Sequence, residues 1–329
     1  GSHGVTEATA LWSVAPGRAE LRRETLPPPG DGEALVRSLA SGVSRGTERL
    51  VLAGRVPESQ WGVMAAPLMG GAFPFPVKYG YAAVGVVEAG PEPLLGRRVF
   101  CLHPHQDRFV APAMMCIPVP DRIPDRRAVL AANMETALNI LWDAAPVAGE
   151  RALVIGAGVV GLLAAFLLSR IPGIDLQILD RDPARRAVAE RLGLRFAGPE
   201  EAPAERELVI HASASAEGLR LALRCAAMEA RILEASWFGD AEIGLPLGEA
   251  FHARRLRLLS TQVGQVSPAM RGRRTHAERL TLALSLLDDP RLDALCGPVL
   301  PFADLPQALP GLLEPPPDQD APLCPVVVY

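Results

Sequence analysis

Leu153-Val154-Ile155-Gly156-Ala157-Gly158-Val159-Val160-Gly161, continued by the apolar run Leu162 to Leu168, is the stretch that decides the fold of this chain. Ala152 to Ile155 is short, apolar and partly β-branched, which reads as a buried parallel strand, and the run after Gly161 is long enough for a helix. In a dinucleotide site built this way Gly156 permits the tight turn, Gly158 lets backbone approach a pyrophosphate, and Gly161 lets helix and strand pack closely. The phosphates then sit on the helix N-terminus at Val159, Val160 and Gly161, where unpaired N–H groups and the dipole favour anions. Pro172-Gly173 stops the helix, and Leu176 to Leu179 makes a second strand ending in Asp180, about twenty residues past the last glycine, where a ribose-binding acid belongs. Asp180 favours NAD, because a carboxylate accepts from ribose hydroxyls and repels a 2′-phosphate; Arg181 beside it could accommodate that phosphate and keeps NADP open. The plainer alternative is a glycine-rich turn inside an unrelated α/β unit.

Further along, Pro183 to Leu192 and Leu219 to Met228 read as helices, and Leu208 to Ala212, Arg231 to Ala235 and Leu256 to Val263 as strands. Thr275 to Leu287 reads as an amphipathic helix. Before the glycine stretch, Ala10 to Val36 reads as strands broken by turns, with Pro27-Pro28-Pro29-Gly30-Asp31-Gly32 as a loop, and Arg98 to Leu102 as another strand.

A chain of 329 residues is long for a single core, so two lobes are expected. A net charge of −4 with mixed signs shows no basic stripe and argues against nucleic acid as the main partner. The longest apolar run, Val159 to Leu168, is too short to span a bilayer, so no membrane segment is expected. Gly1-Ser2-His3 reads as an expression scar, and nothing after it resembles a signal peptide. Cys101, Cys116, Cys225, Cys296 and Cys324 are odd in number and form no CxxC pair, which fits a reducing cytoplasm. The chain has thirty-two arginines and one lysine, Lys78. Either codon drift left a chance survivor there, or the site needs a compact ammonium with a movable pKa, which a guanidinium cannot supply.

Two blocks precede the glycine unit: Ser41-Gly42-Val43-Ser44-Arg45-Gly46-Thr47-Glu48-Arg49-Leu50, and Phe73 to Val87 with Lys78-Tyr79-Gly80-Tyr81-Ala82 at its centre. Their order, then Ala131 to Asn139, then the glycine unit, resembles the medium-chain dehydrogenase/reductase family over nearly the whole chain. The resemblance implies an α/β fold: a GroES-like β-rich catalytic domain (4–132 and 290–329), with Val299 to Leu313 and a last strand at Val326 to Tyr329, plus a Rossmann doubly wound parallel sheet (133–289). It places the active site in the cleft between them and implies a small-molecule substrate and a homo-oligomer, dimer or tetramer. Zinc alcohol dehydrogenases of that family carry Gly-Ile-Cys-Gly-Thr-Asp where this chain has Gly42 to Thr47, and Gly-His-Glu where it has Gly80-Tyr81-Ala82. Their catalytic metal ligands therefore fall on Ser44, Tyr81 and Ala132, and no metal is expected. Within the zinc-lacking branch, Ser-Gly-Val-Ser-x-Gly-Thr-Glu-Arg-Leu followed by Gly54-Arg55-Val56-Pro57 is similar to the subfamily of 2-desacetyl-2-hydroxyethyl bacteriochlorophyllide a dehydrogenase. The insertion around Glu58 to Ala72 and the His103-Pro104-His105-Gln106 block depart from it.

Hydride transfer belongs to the cofactor, so without a metal a side chain must handle the proton or developing oxyanion. The expected groups are Tyr81, at a lost zinc-ligand position, with His103, at a position where the family lines its substrate pocket, and Lys78, whose charge would favour tyrosinate. Tyr81 as a filler of the vacated metal space and His103 as a surface histidine are the bland alternatives. Ser44, Thr47, Glu48, His105 and Glu135 are expected around the substrate, and Arg45 on the cofactor pyrophosphate. Glu48 or Glu135 could instead pair with an arginine or join His103 and His105 around a metal. His211 and His252 show no neighbouring constellation. The function expected is a zinc-independent NAD(P)-dependent oxidoreductase acting on a secondary alcohol or ketone of a fairly large substrate. An enone or quinone reductase and a non-catalytic dinucleotide-binding protein are the alternatives.

Overall fold

The computed structural model describes residues 4–329; the expected scar at Gly1-Ser2-His3 lies outside the described residues. The chain divides into two units, one running to Ala132 and resuming at Leu280–Tyr329, the other spanning Asn133–Arg279. The chain thus rejoins the first unit at Leu280 rather than at residue 290.

The first unit opens on a hairpin, β1 (Thr6–Ala15) and β2 (Arg18–Leu26), whose half-exposed alternation reflects a sheet with one solvated face. Short strands β4 (Gly70–Gly71) and β5 (Val77–Lys78) complete a four-stranded sheet in the order β2-β1-β5-β4. A seven-stranded sheet is built on β3 (Glu33–Gly42), β6 (Ala83–Ala89), β7 (Arg98–Cys101), β8 (Arg108–Pro112) and β9 (Ile117–Pro118). Its inward alternate residues Val36, Val87, Val99 and Phe109 pack into one core. Helix α1 (Arg45–Ala53) follows β3 directly, and α2 (Asp125–Ala128) leads to the boundary.

Helix α3 (Ala131–Ala144) carries the chain into the second unit. There β10 (Arg151–Ile155), β11 (Asp175–Leu179), β12 (Arg195–Ala197), β13 (Arg206–His211), β14 (Ala226–Glu234) and β15 (Arg257–Ser260) form a parallel sheet in the order β12-β11-β10-β13-β14-β15. Helices α4 (Val159–Leu168), α5 (Arg185–Arg191), α6 (Ala216–Cys225) and α7 (His276–Ser285) accompany it. In α4, Leu162, Leu163, Phe166, Leu167 and Leu168 are buried. Burial of each stabilises by about 1.5–3 kcal/mol, which outweighs the entropic cost of the glycines around it. Strand order reverses between β10 and β13, and such reversals leave a ligand crevice at the carboxyl ends of the strands.

The chain then returns through α8 (Leu305–Leu313) and the strands β16 (Cys296–Pro301) and β17 (Cys324–Val328), with β17 antiparallel to β3. The architecture is a GroES-like β-rich unit with a Rossmann doubly wound parallel sheet, as the sequence predicts.

Some boundaries move. The helix expected at 219–228 runs Ala216–Cys225, because Ser215 caps it by accepting from Gly218 N, and β14 begins at once on Ala226. Buried Ala222, Leu223, Cys225 and Ala226 run through the junction, so hydrophobic pattern alone does not mark it. The strand expected to reach Val263 stops at Ser260, because the next carbonyls are held by side chains instead of a sheet neighbour. Val299 to Leu313 contains the whole of α8 as well as sheet. All five cysteines are free, and no helix among the described residues is long and apolar enough to cross a membrane.

Candidate active site

In the second unit the glycine turn has the geometry of a phosphate cradle. Gly156 has a φ of 107°, and a Cβ there would meet Ala212 C and Ser213 N at 2.6 Å. A Cβ on Gly161 would fall 1.8 Å from Gly156 O, so helix and loop touch through glycine alone. Gly158, the N-cap of α4, has nothing within 4 Å of its Cβ direction and no side-chain cap, leaving the helix N-terminus open beside partly exposed Val159 and Val160. The Asp180 carboxylate accepts from Ala157 N and Asp182 N, both at 2.8 Å, which ties the loop to the end of β11. Arg181 is exposed next to it. An open anion cradle with a carboxylate at the end of the second strand fits a dinucleotide.

On the opposite wall of this crevice lies a constellation not anticipated from the sequence. His211 Nδ1 donates to Glu234 Oε2 at 2.8 Å, and Ser213 Oγ lies 2.6 Å from Nε2 and 2.9 Å from Ser215 Oγ. β13 ends at His211, and the turn through Ala214, with a φ of 52°, brings Ser213 and the N-cap Ser215 back to the imidazole, so no strand alternation in the sequence signals the group.

In the first unit the Tyr81 hydroxyl donates to Ser44 Oγ at 2.7 Å and lies 3.1 Å from Thr47 Oγ1. Burial and the nearby Glu48 carboxylate raise the Tyr81 phenol to about 12, against the pull of those two hydroxyls, so it stays protonated at neutral pH. Glu48, in the first turn of α1, accepts from Ser44 N through one oxygen and holds His105 Nε2 at 2.7 Å through the other. His105 Nδ1 pairs with Ser41 Oγ at 2.7 Å, and Ser41 with the Tyr329 hydroxyl at 2.9 Å. Gly80, with a φ of 145°, makes room for this: a Cβ there would meet His105 Cδ2 at 3.2 Å. Ser44, Thr47, Glu48, Tyr81 and His105 therefore form one cluster, with Ser41 and Tyr329 added to the sequence-derived set.

Four expected residues stand elsewhere. The Lys78 ammonium is bound to Glu24 Oε1 and Gln106 Oε1, both at 2.9 Å, and sits 5.9 Å from the Trp12 ring, tying β5 to β2. No bond joins it to Tyr81 among the described residues, so the expected tyrosinate has no support. His103 is stacked on Phe109 at 3.9 Å with Nδ1 donating to Pro104 O. Desolvation lowers its pKa to about 3, against that hydrogen bond and with help from the Lys78 and His105 charges. It is a neutral core histidine instead of one titrating near pH 7. Glu135 pairs with Arg279 at 3.0 Å, deep in the second unit, where burial raises its pKa and Arg279 opposes the rise. Arg45 donates to the Leu312, Leu313 and Pro322 carbonyls, capping the C-terminal end of α8 where the dipole favours a cation.

The three positions that the resemblance gives for zinc ligands carry no conventional ligand. A hydroxyl, a phenol and a methyl stand at Ser44, Tyr81 and Ala132, and no group of three His, Cys, Asp or Glu side chains among the described residues could hold a metal ion.

No protein-family model matches the chain, and no curated protein matches it by sequence. Solved structures match it along almost its full length. A short chain alcohol dehydrogenase of E. coli CFT073, complexed with NADH, superposes with a TM-score of 0.78 at 17% identity, covering 98% of this chain and 99% of that one. L-idonate 5-dehydrogenase of E. coli K-12 gives 0.79 at 13% identity, covering 99% of each chain. A Sinorhizobium meliloti 1021 structure bound to NADP gives 0.78 at 17%, covering 98% of this chain and 100% of that one. The chain thus has the two-unit fold of these dehydrogenase structures.

Proposed function

We propose that this chain is a zinc-independent, NAD(P)-dependent oxidoreductase of the medium-chain type, moving a hydride between nicotinamide and a secondary alcohol or ketone, with NAD preferred. The observation that carries the reading is the presence of an open glycine cradle in one unit and of a partly buried Tyr81–Ser44–Thr47 hydroxyl cluster at lost zinc-ligand positions in the other. The Ser41 to Leu50 block supports a place near the bacteriochlorophyllide dehydrogenase subfamily and a fairly large substrate. The neighbours complexed with NADH and bound to NADP support the cofactor.

The nicotinamide, when bound, supplies the hydride chemistry. Gly156, Gly158, Val159, Val160 and Gly161 would hold the pyrophosphate, and Asp180 the ribose hydroxyls. Tyr81 keeps its proton at neutral pH, and by turning its O–H from Ser44 Oγ to the substrate it would donate to an oxygen that gains negative charge on accepting hydride. Ser44 and Thr47 orient the phenol, and the Glu48–His105 pair fixes Ser44 through its backbone N–H. His103 and Lys78 act on packing in this reading.

The test is turnover by the purified protein with NADH or NADPH on a panel of ketones, secondary alcohols and enones, together with elemental analysis. Ketone or alcohol turnover without stoichiometric zinc is expected. Turnover of enones alone would make it a C=C reductase, tight NADH binding without turnover would make it a binding protein, and one zinc per chain would overturn the metal-free reading.

A further inference from the structure

The segment between β15 and α7 is a structured loop with an unusual charge. Thr261 N bonds Glu234 O just past the end of β15, so the loop leaves from the carboxyl ends of the parallel strands, the edge where such sheets bind ligands. A buried network holds its first half in one conformation. Asn139, 1% exposed, donates to the Gln262 and Gln265 carbonyls and accepts from Ser267 N at 2.9 Å. Arg279, 2% exposed and paired with Glu135, donates to the Val263 and Gln265 carbonyls. The helix that follows is already capped, since Thr275 and Glu278 satisfy each other's backbone N–H groups.

On this frame the second half of the loop lines an open surface pocket of about 450 Å³ with the exposed side chains of Arg271, Arg273, Arg274 and His276. One carboxylate, Glu278, shares the wall, and it is engaged by Thr275 N. None of the three arginines forms an ion pair among the described residues; Arg271 and Arg274 each donate one bond to a local carbonyl. Three guanidinium groups line one pocket with no ion-pair partner among the described residues, so an anion bound among them would gain from all three charges. Planar guanidinium forks match phosphate and carboxylate oxygens in pairs. The loop departs from β15, which lies four strand spacings from β11, the strand that Asp180 follows, about 19 Å at about 4.8 Å each.

We propose that this pocket is an oxyanion site for a small molecule carrying a phosphate or a carboxylate, separate from the dinucleotide crevice. The site needs no turnover to be tested, so its failure and that of the dehydrogenase reading are distinguishable. Thermal melts of the full chain are taken in inorganic phosphate, in citrate, and in chloride at matched ionic strength, each with and without NADH. The wild type should melt higher in phosphate or citrate than in chloride, and NADH should leave that response in place. Whichever of the two stabilises more identifies the group. In the double variant Arg273→Gln/Arg274→Gln, whose side chains are exposed and hold no fold contact beyond one carbonyl bond, the apparent Kd should weaken at least tenfold. Arg18→Gln, an exposed position in the other unit, should not change it. Equal melting in all three salts, an undiminished response in the double variant, or loss of the response on adding NADH would each overturn the proposal.

Discussion

Glu48 Oε1 meets His105 Nε2 at 2.7 Å with the two residues only 5% and 1% exposed, while the second carboxylate oxygen receives the backbone N–H of Ser44. One side chain from the first turn of α1 thereby holds both the 103–106 segment and the residue that accepts from Tyr81. Removing one partner of a buried hydrogen-bonded pair leaves the other unsatisfied, at a cost of about 1–3 kcal/mol. Glu48→Ala should therefore lose about that much stability in urea denaturation, and Glu48→Gln, which keeps an acceptor for Ser44 N, should lose less. An alanine variant within about 1 kcal/mol of wild type would remove the pair from the account.

His103 gives a pH dependence of definite sign. Its folded pKa, about 3, lies below the ordinary value of 6.5, so between those values the unfolded chain binds the extra proton. Its contribution is fully present above pH 6.5 and is lost as pH falls toward 3, at about 1.4 kcal/mol per unit. Urea midpoints from pH 7 down to pH 5 should fall less steeply for His103→Gln than for wild type. Parallel profiles would place the acid sensitivity elsewhere.

The Rossmann half is legible because local chemistry dictates it: Gly156 and Gly161 are required by contacts within a few residues, and Asp180 follows at a spacing set by one helix and one strand. Tyr81 with Ser44 and Thr47 is reachable only by analogy of position, since the bonds join residues 37 and 34 apart in sequence. His103 and His105 differ by two positions and look alike in the sequence, yet one stacks on Phe109 and the other pairs with Glu48. That difference depends on which strand faces each ring, which spacing does not encode. Lys78 stands out by composition, but its partner Glu24 comes from a strand paired through β1.

Two glycines three residues apart should respond oppositely to alanine. At Gly161 the added methyl falls on Gly156 O, so Gly161→Ala should lower yield or Tm sharply. At Gly158 it meets nothing, so Gly158→Ala should fold normally and weaken NADH binding by tenfold or more, because the methyl enters the space kept for phosphate. Normal NADH affinity in a folded Gly158→Ala protein would place the dinucleotide elsewhere.

Cofactor choice turns on Asp180. Each of its oxygens already accepts one backbone N–H, and each keeps a lone pair for a ribose hydroxyl, while its charge repels a 2′-phosphate. Fluorescence titration should show NADH binding at least tenfold more tightly than NADPH, about 1.4 kcal/mol. The reverse order would assign the dominant role to exposed Arg181.

Tyr81→Phe separates chemistry from packing. The phenol is held protonated, with its pKa raised to about 12, and the hydroxyl contacts only Ser44 and Thr47 among its hydrogen-bond partners. Loss of that oxygen leaves the ring in place, so stability should change by about 1 kcal/mol, the net worth of a hydrogen bond. A general acid typically contributes a hundredfold or more in rate, so kcat should fall by about that factor while the NADH Kd is unchanged. His103→Gln, which removes a neutral core histidine, should leave kcat within about threefold at pH 7.5. If instead Tyr81→Phe turns over within threefold of wild type on the substrate identified by the panel, the phenol only packs beside Ser44 and Thr47. Proton transfer would then pass to Glu48 with His105, the remaining buried pair that contacts Ser44.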